Sequence, residues 1–229
     1  MIKNAFKTTT ILTSKAFIFD MDGVIINSEP IWEKYENKFL PELIGKNTYA
    51  QIKNQILGNS VSGIYDAISK LGIKISKKKF EQVYDQYAEL VYAEAQITDD
   101  ISELINKLIL MGFKIGLVSS SRQYWIDLVI KKMNAQKLFQ SALSLDGNAI
   151  KAKPLPDGYL LCISQLNSKP NQTVILEDSP KGLAAAQASG ALAICLTENL
   201  NQNCEPRGAD IYVRSVSELM NRFEELIKI

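Results

Sequence analysis

The sequence predicts an α/β protein: a Rossmann-like, mostly parallel sheet core with a four-helix cap inserted after its first strand. Three observations carry that prediction. From about residue 96 onward, short apolar runs of strand length alternate with amphipathic helical stretches, which is the pattern of crossovers onto a parallel sheet. Between about 29 and 95 the periodicity is helical only. The first apolar run, Phe17-Ile18-Phe19, leads straight into Asp20-Met21-Asp22-Gly23, so two carboxylates stand where open parallel sheets bind their ligands.

Taken in order, residues 1–15 read as a short tail. Lys3 and Lys7 lie there without the long apolar stretch of a signal peptide. The run ending at Phe19 is a fully buried strand. Ser28-Glu29-Pro30 carries a helix start, with a capping serine, an acid and a first-turn proline. Trp32, Tyr35 and Phe39 then recur at helical spacing up to Pro41. A second helix spans 48–57 and stops at Gly58. A third carries Ile64, Ile68 and Leu71 on one face and stops at Gly72. A fourth starts near Ser76 and presents Phe80, Val83, Tyr84, Tyr87 and Val91.

The period then changes. Asp99 or Asp100 caps a helix with Ile101, Leu104, Ile105 and Leu108, ended by Gly112. A strand covers 114–119, and Ser121 caps a helix through Met133. Residues 141–145 form a weaker strand, 157–166 a helix, and 173–178 an apolar strand ending in acids. Ser179-Pro180 opens an Ala-rich helix that stops at Gly190. Strands follow at 192–196 and, at a sheet edge, 210–213, before a closing helix from about Ser217. The expected division is a core of 16–28 plus 96–229 and a cap of 29–95.

Composition limits the function. With 229 residues the chain can bury a sizeable core, and 46% hydrophobic with 22% charged residues is ordinary for a globular protein. A formal net charge of +1 gives no electrostatic case for nucleic acid or an anionic membrane, and Lys77-Lys78-Lys79 reads as a solvated helix face. No apolar run approaches the length of a membrane span. The chain has no histidine, which excludes Ser-His-Asp, Cys-His and His-ligated metal chemistry together. Cys162, Cys195 and Cys204 are odd in number and form no CxxC, as expected of reduced thiols in a cytoplasmic protein. A monomer is expected.

Asp20 and Asp22 by themselves also suit a turn, Ser119-Ser120-Ser121 a helix cap, Lys153 a surface loop, and Glu177-Asp178-Ser179-Pro180 a strand end before a capped helix. Those local readings do not predict that all four fall on one rim of one sheet. Carboxylates, hydroxyls and one ammonium gathered there suit a Mg²⁺ ion with a phosphoryl group.

The ordered set Asp20-Met21-Asp22-Gly23-Val24, Ser119-Ser120, Lys153-Pro154-Leu155-Pro156-Asp157 and Glu177-Asp178 resembles the haloacid-dehalogenase-like hydrolase superfamily. It is most similar to the branch with a helical cap that includes β-phosphoglucomutase and sugar-phosphate phosphatases. The resemblance spans about residues 16 to 220. It implies that Asp20 attacks phosphorus and that Asp22 serves as acid and then base. It gives Ser119, Ser120 and Lys153 the phosphoryl oxygens. Asp20, Asp178 and the backbone carbonyl of Asp22 would hold Mg²⁺, with Glu177 assisting directly or through water. Trp32 and the 58–63 loop are candidates to face the substrate.

Some residues depart from the family pattern. Asp99-Asp100 stands where the family often has Pro-Gly. Trp32 stands where the mutase has a cap histidine, and no arginine precedes Arg122. The last two weaken a mutase reading. Asp22 argues against the dehalogenase and phosphonate-cleaving members. The expected function is Mg²⁺-dependent hydrolysis of a small phosphomonoester, a sugar or polyol phosphate. A sugar phosphomutase and a catalytically idle binding protein are the alternatives.

Overall fold

The computed structural model of the chain describes residues 15–56, 59–147, 149–200 and 206–227. Strand β1 (Ala16–Phe19) is buried along its whole length. A tight turn leads to β2 (Ile26–Asn27) and then to four helices: α1 (Glu29–Ile44), α2 (Lys46–Ile56), α3 (Val61–Lys70) and α4 (Lys77–Glu94). β3 (Gln96–Ile97) returns the chain antiparallel to β2, with Ile26 opposite Ile97. The helical insertion is thus entered and left through one two-stranded ribbon.

The alternating part follows as α5 (Ile101–Leu110), β4 (Lys114–Ser119), α6 (Gln123–Lys132), β5 (Ser141–Ser144), α7 (Asp157–Gln165), β6 (Thr173–Glu177), α8 (Pro180–Ser189), β7 (Leu192–Leu196), β8 (Ile211–Val213), α9 (Val216–Asn221) and α10 (Phe223–Leu226). Six strands form one sheet in the order β5-β4-β1-β6-β7-β8, every neighbouring pair parallel. Phe19 of β1 is in register with Leu117 of β4 and Leu176 of β6. Asp20, Ser119 and Glu177 therefore reach the same rim. The chain builds outward on one side of β1 through β4 and β5, then crosses to β6. The crevice at that reversal, where α/β sheets place their ligands, lies beside Asp20 and Glu177.

The inserted helices bury their apolar stripes against each other through Phe39, Leu40, Ile52, Ile64, Ile68, Phe80 and Tyr84. Phe39 stacks on Tyr87 with ring centroids 4.4 Å apart. The block rests on the sheet domain through α4 and α6. There Trp125 of α6 packs against Trp32 and Tyr92 and donates its indole N–H to Asp85 at 2.9 Å.

Several local expectations change. α1 does not stop at Pro41 but runs to Ile44, because burial of Phe39, Leu40 and Ile44 outweighs the missing proline N–H. Leu71 is exposed rather than part of the α3 stripe. α6 starts at Gln123 with Arg122 at its cap position, so Ser121 does not cap it; Ser28 likewise makes no side-chain cap to α1. Asp100, not Asp99, precedes α5, in a left-handed conformation and without a side-chain cap. Cys162 and Cys195 are buried, and burial pushes the Cys162 thiol up to about 12. Cys204, the tail through Ser14, and the expected helix stop at Leu57 and Gly58 lie outside the described residues. Among the described residues, no helix is long and apolar enough to cross a membrane.

Candidate active site

Asp20 leaves β1 with its backbone N–H still bonded to the Leu176 carbonyl of β6, so the sheet itself fixes its Cα. Its carboxylate is buried and accepts a hydrogen bond from Lys153 Nζ at 2.5 Å. The same ammonium donates to Glu177 Oε1 at 2.6 Å and to the Val118 carbonyl at 3.2 Å, and lies over the Tyr159 ring. Burial works against a charged Lys153, but Asp20 and Glu177 overcome it and hold the ammonium above its ordinary pKa.

Glu177 has no unused acceptor direction. Oε1 accepts from Lys153 and from the Tyr159 hydroxyl at 2.7 Å; Oε2 accepts from the backbone N–H groups of Asp178 and Ser179 and from the Ser179 hydroxyl. These donors outweigh its burial and lower its pKa. The first turn of α8 closes over it. A Cβ on Gly182 would fall 1.7 Å from Glu177 Oε1, so only glycine permits this approach.

Asp178 is buried, and its Oδ1 has no hydrogen-bond partner among the described residues. One carboxylate oxygen each from Asp20, Glu177 and Asp178 lies within 4.8 Å of the others. Gly23, with φ of 86°, brings the first loop against Asp178, where a Cβ would sit 1.9 Å from Oδ2. Burial, then the charges of Glu177 and Asp20, raise the Asp178 pKa well above the ordinary carboxylate value; burial raises that of Asp20 as well. Three buried carboxylates against one ammonium leave negative charge without a counter-charge. An orphaned carboxylate oxygen in an all-oxygen donor set is what a hard divalent cation fits.

Asp22 is arranged differently. Its Oδ1 accepts from Ser28 Oγ at 2.5 Å and Tyr92 Oη at 3.1 Å, and its Oδ2 accepts from Ser121 Oγ at 2.6 Å. Its side chain therefore stands outside the three-acid cluster. Ser119 is buried and accepts from the Ser121 N–H at 3.0 Å. Ser119, Ser120, Lys153, Asp20, Asp22 and Asp178 all border one cavity of about 440 Å³. Trp32, Asn59 and Ser60 line it from the helical insertion, so Trp32 both packs and faces the cavity. The sequence reading missed Tyr92, Tyr159 and Glu36, and gave Ser28 and Ser121 only capping roles. No local signal separates such residues from ordinary packing or capping ones.

The family model described as haloacid dehalogenase-like hydrolase matches residues 17–195, which includes every one of these site residues. The chain belongs to the haloacid dehalogenase-like hydrolases. Within that family it is an enzyme of the phosphatase kind. It is 25% identical to validoxylamine A 7'-phosphate phosphatase of Streptomyces hygroscopicus subsp. limoneus, over 90% of this chain and 95% of that one. It is 27% identical to hexitol phosphatase B of Escherichia coli (strain K12), over 89% and 93%. Among solved haloacid dehalogenase-like folds, CbbY from Rhodobacter sphaeroides in complex with phosphate superposes with a TM-score of 0.74, at 21% identity over 90% of this chain and 96% of that one.

Proposed function

We propose that the chain hydrolyses a small phosphomonoester, a sugar or polyol phosphate, through an aspartyl phosphate on Asp20, with Mg²⁺ as cofactor. One observation carries the reading: Asp20, Lys153 and the orphaned oxygen of Asp178 converge on one cavity wall, with Asp22 beside them on a separate set of partners. Asp20, Asp178 and the backbone carbonyl of Asp22 would hold the metal. Bound there, it supplies Lewis-acid neutralisation of the phosphoryl charge.

In the proposed reaction an Asp20 oxygen forms a bond to phosphorus as the phosphorus–alkoxide bond breaks. Asp22 gives its proton to the departing alkoxide. Asp22 then takes a proton from water as that water attacks phosphorus, which releases Asp20 as a carboxylate and inorganic phosphate as product. Ser119, Ser120 and Lys153 hold the transferred oxygens, so positioning and charge complementarity do most of the work. Glu177, with five donors already on it, holds Lys153 in place.

The helical block, assigned to 29–95, is the cap that covers the cavity and excludes bulk water. Its wall carries Glu29, Glu33 and Glu36 beside Trp32, with Lys53 paired to Glu33 at 3.6 Å, and the segment contains no arginine. Carboxyl groups accept hydrogen bonds from substrate hydroxyls, and without an arginine the segment has no bidentate grip for a second phosphate. This favours a hydroxylated leaving group and plain hydrolysis over a bisphosphate-dependent mutase. Action as a monomer in the cytoplasm is part of the same proposal.

The test is phosphate release with Mg²⁺ from sugar, polyol, glycolate, nucleotide and aryl phosphates. Hydrolysis of polyol or sugar monophosphates is expected without a bisphosphate primer, and Asp20→Asn is expected to be inactive on all of them. An active Asp20→Asn protein would overturn the nucleophile assignment. Turnover only with a bisphosphate primer would support the mutase instead.

A further inference from the structure

We propose that Tyr92, acting with Ser121, is a positioning residue for Asp22, and that through it the seating of the helical cap on the core sets the alignment of the acid–base group. The inference rests on the phosphatase reading above. Asp22 lies between the end of β1 and the Gly23 turn, a stretch with little regular structure to fix a side chain. Three hydroxyls hold it, and each arrives from a different part of the chain. Ser28 comes from the ribbon leading into α1, Ser121 from the loop between β4 and α6, and Tyr92 from the last turn of α4.

The identity of these donors matters. A lysine or arginine on Asp22 would favour its ionised form and oppose the proton it must carry when the alkoxide leaves. A hydroxyl both donates and accepts, so a rotated serine O–H accommodates either protonation state without moving the carboxylate. The cradle thus fixes the direction of the carboxylate.

Tyr92 is the donor that reports on α4. Its ring is buried between Trp32 and Trp125, each with ring centroids 6.0 Å away. Its backbone carbonyl accepts from Lys132 of α6 at 2.9 Å, and the same ammonium bonds the carbonyls of Ala93 and Ala95. The end of α4 is therefore clamped to α6, and the Tyr92 hydroxyl extends that clamp to Asp22. Lifting α4 from α6 removes this donor from the carboxylate.

The experiment compares wild type, Tyr92→Phe and Ser121→Ala on benzyl phosphate, whose alkoxide needs a proton to leave, and on para-nitrophenyl phosphate, whose phenolate does not. Both variants are expected to lose about 10-fold or more in kcat on benzyl phosphate, with KM within about twofold of wild type. On para-nitrophenyl phosphate the first turnover stays fast. Hydrolysis of the aspartyl phosphate, which needs Asp22 as base, becomes slow. Rapid mixing then shows a nitrophenolate burst approaching one per enzyme, larger than in wild type. Thermal melts check that the variants are folded. Variants that are folded and keep the wild-type leaving-group dependence and burst would overturn the proposal, leaving Tyr92 a packing residue. A wild type that releases phosphate from neither probe nor from the wider substrate panel would instead overturn the phosphatase reading beneath it.

Discussion

Glu36 sits half-buried on the cavity wall, accepts the Tyr84 hydroxyl at 3.0 Å and faces the charges of Glu33 and Glu29. Burial, with those two carboxylates adding and Tyr84 opposing, pushes its pKa from 4.5 up to about 7. The native state therefore keeps a proton that the unfolded chain releases between these two values. Stability falls as pH rises through that window, by up to about 3 kcal/mol, and is flat above it. Gln mimics the protonated acid. Glu36→Gln is thus expected to melt at nearly the wild-type temperature at pH 4.5 and several degrees above it at pH 8, in the absence of substrate. A difference that does not grow with pH would remove the burial argument.

α8 shows how a helix start serves the site. Ser179 caps it, accepting from the Gly182 N–H at 3.0 Å, and the same serine donates to Glu177. The Ser-Pro start and the Gly190 stop are readable locally, because capping and termination are short-range. The need for glycine at 182 is not. It comes from a carboxylate five residues earlier that the sheet holds under the first turn. Gly182→Ala is expected to push α8 away from Glu177, to destabilise the fold by about 1–3 kcal/mol, and to lower kcat through Lys153. Denaturant unfolding and steady-state kinetics on para-nitrophenyl phosphate measure both. Wild-type values in both would mean that α8 yields without disturbing Lys153.

Cap and core meet along α4 and α6, where Trp125 fills the space between Trp32, Tyr84 and Tyr92. Arg122 adds ion pairs to Asp85 and Asp146, and Ser62 of α3 donates to Asp146 at 3.0 Å. The aromatic seam is the buried part and carries most of the energy, whereas partly exposed ion pairs contribute little. Trp125→Ala is expected to cost about 3–5 kcal/mol and to loosen the whole helical insertion. Faster limited proteolysis within 29–95 and a drop in kcat/KM are the signs to look for. Unchanged proteolysis would locate the attachment of the insertion in the β2–β3 ribbon instead.

Much of the molecule follows from short stretches of chain. Apolar runs of strand length, helical stripes, caps and glycine stops are local, so β1, the four inserted helices and the later alternation were legible, as was the gathering of Asp20, Ser119, Lys153, Glu177 and Asp178 on one rim. What was not legible is which hydroxyl serves which carboxylate. Ser28 and Ser121 sit where a helix cap is the nearest acceptor role, yet both donate to Asp22, because a carboxylate is a stronger partner than a backbone N–H. Tyr92 joins them from 70 residues away, and Glu36 reaches the cavity only because α1 is packed beneath α4. These pairings depend on how distant elements stack, and helical periodicity does not encode that.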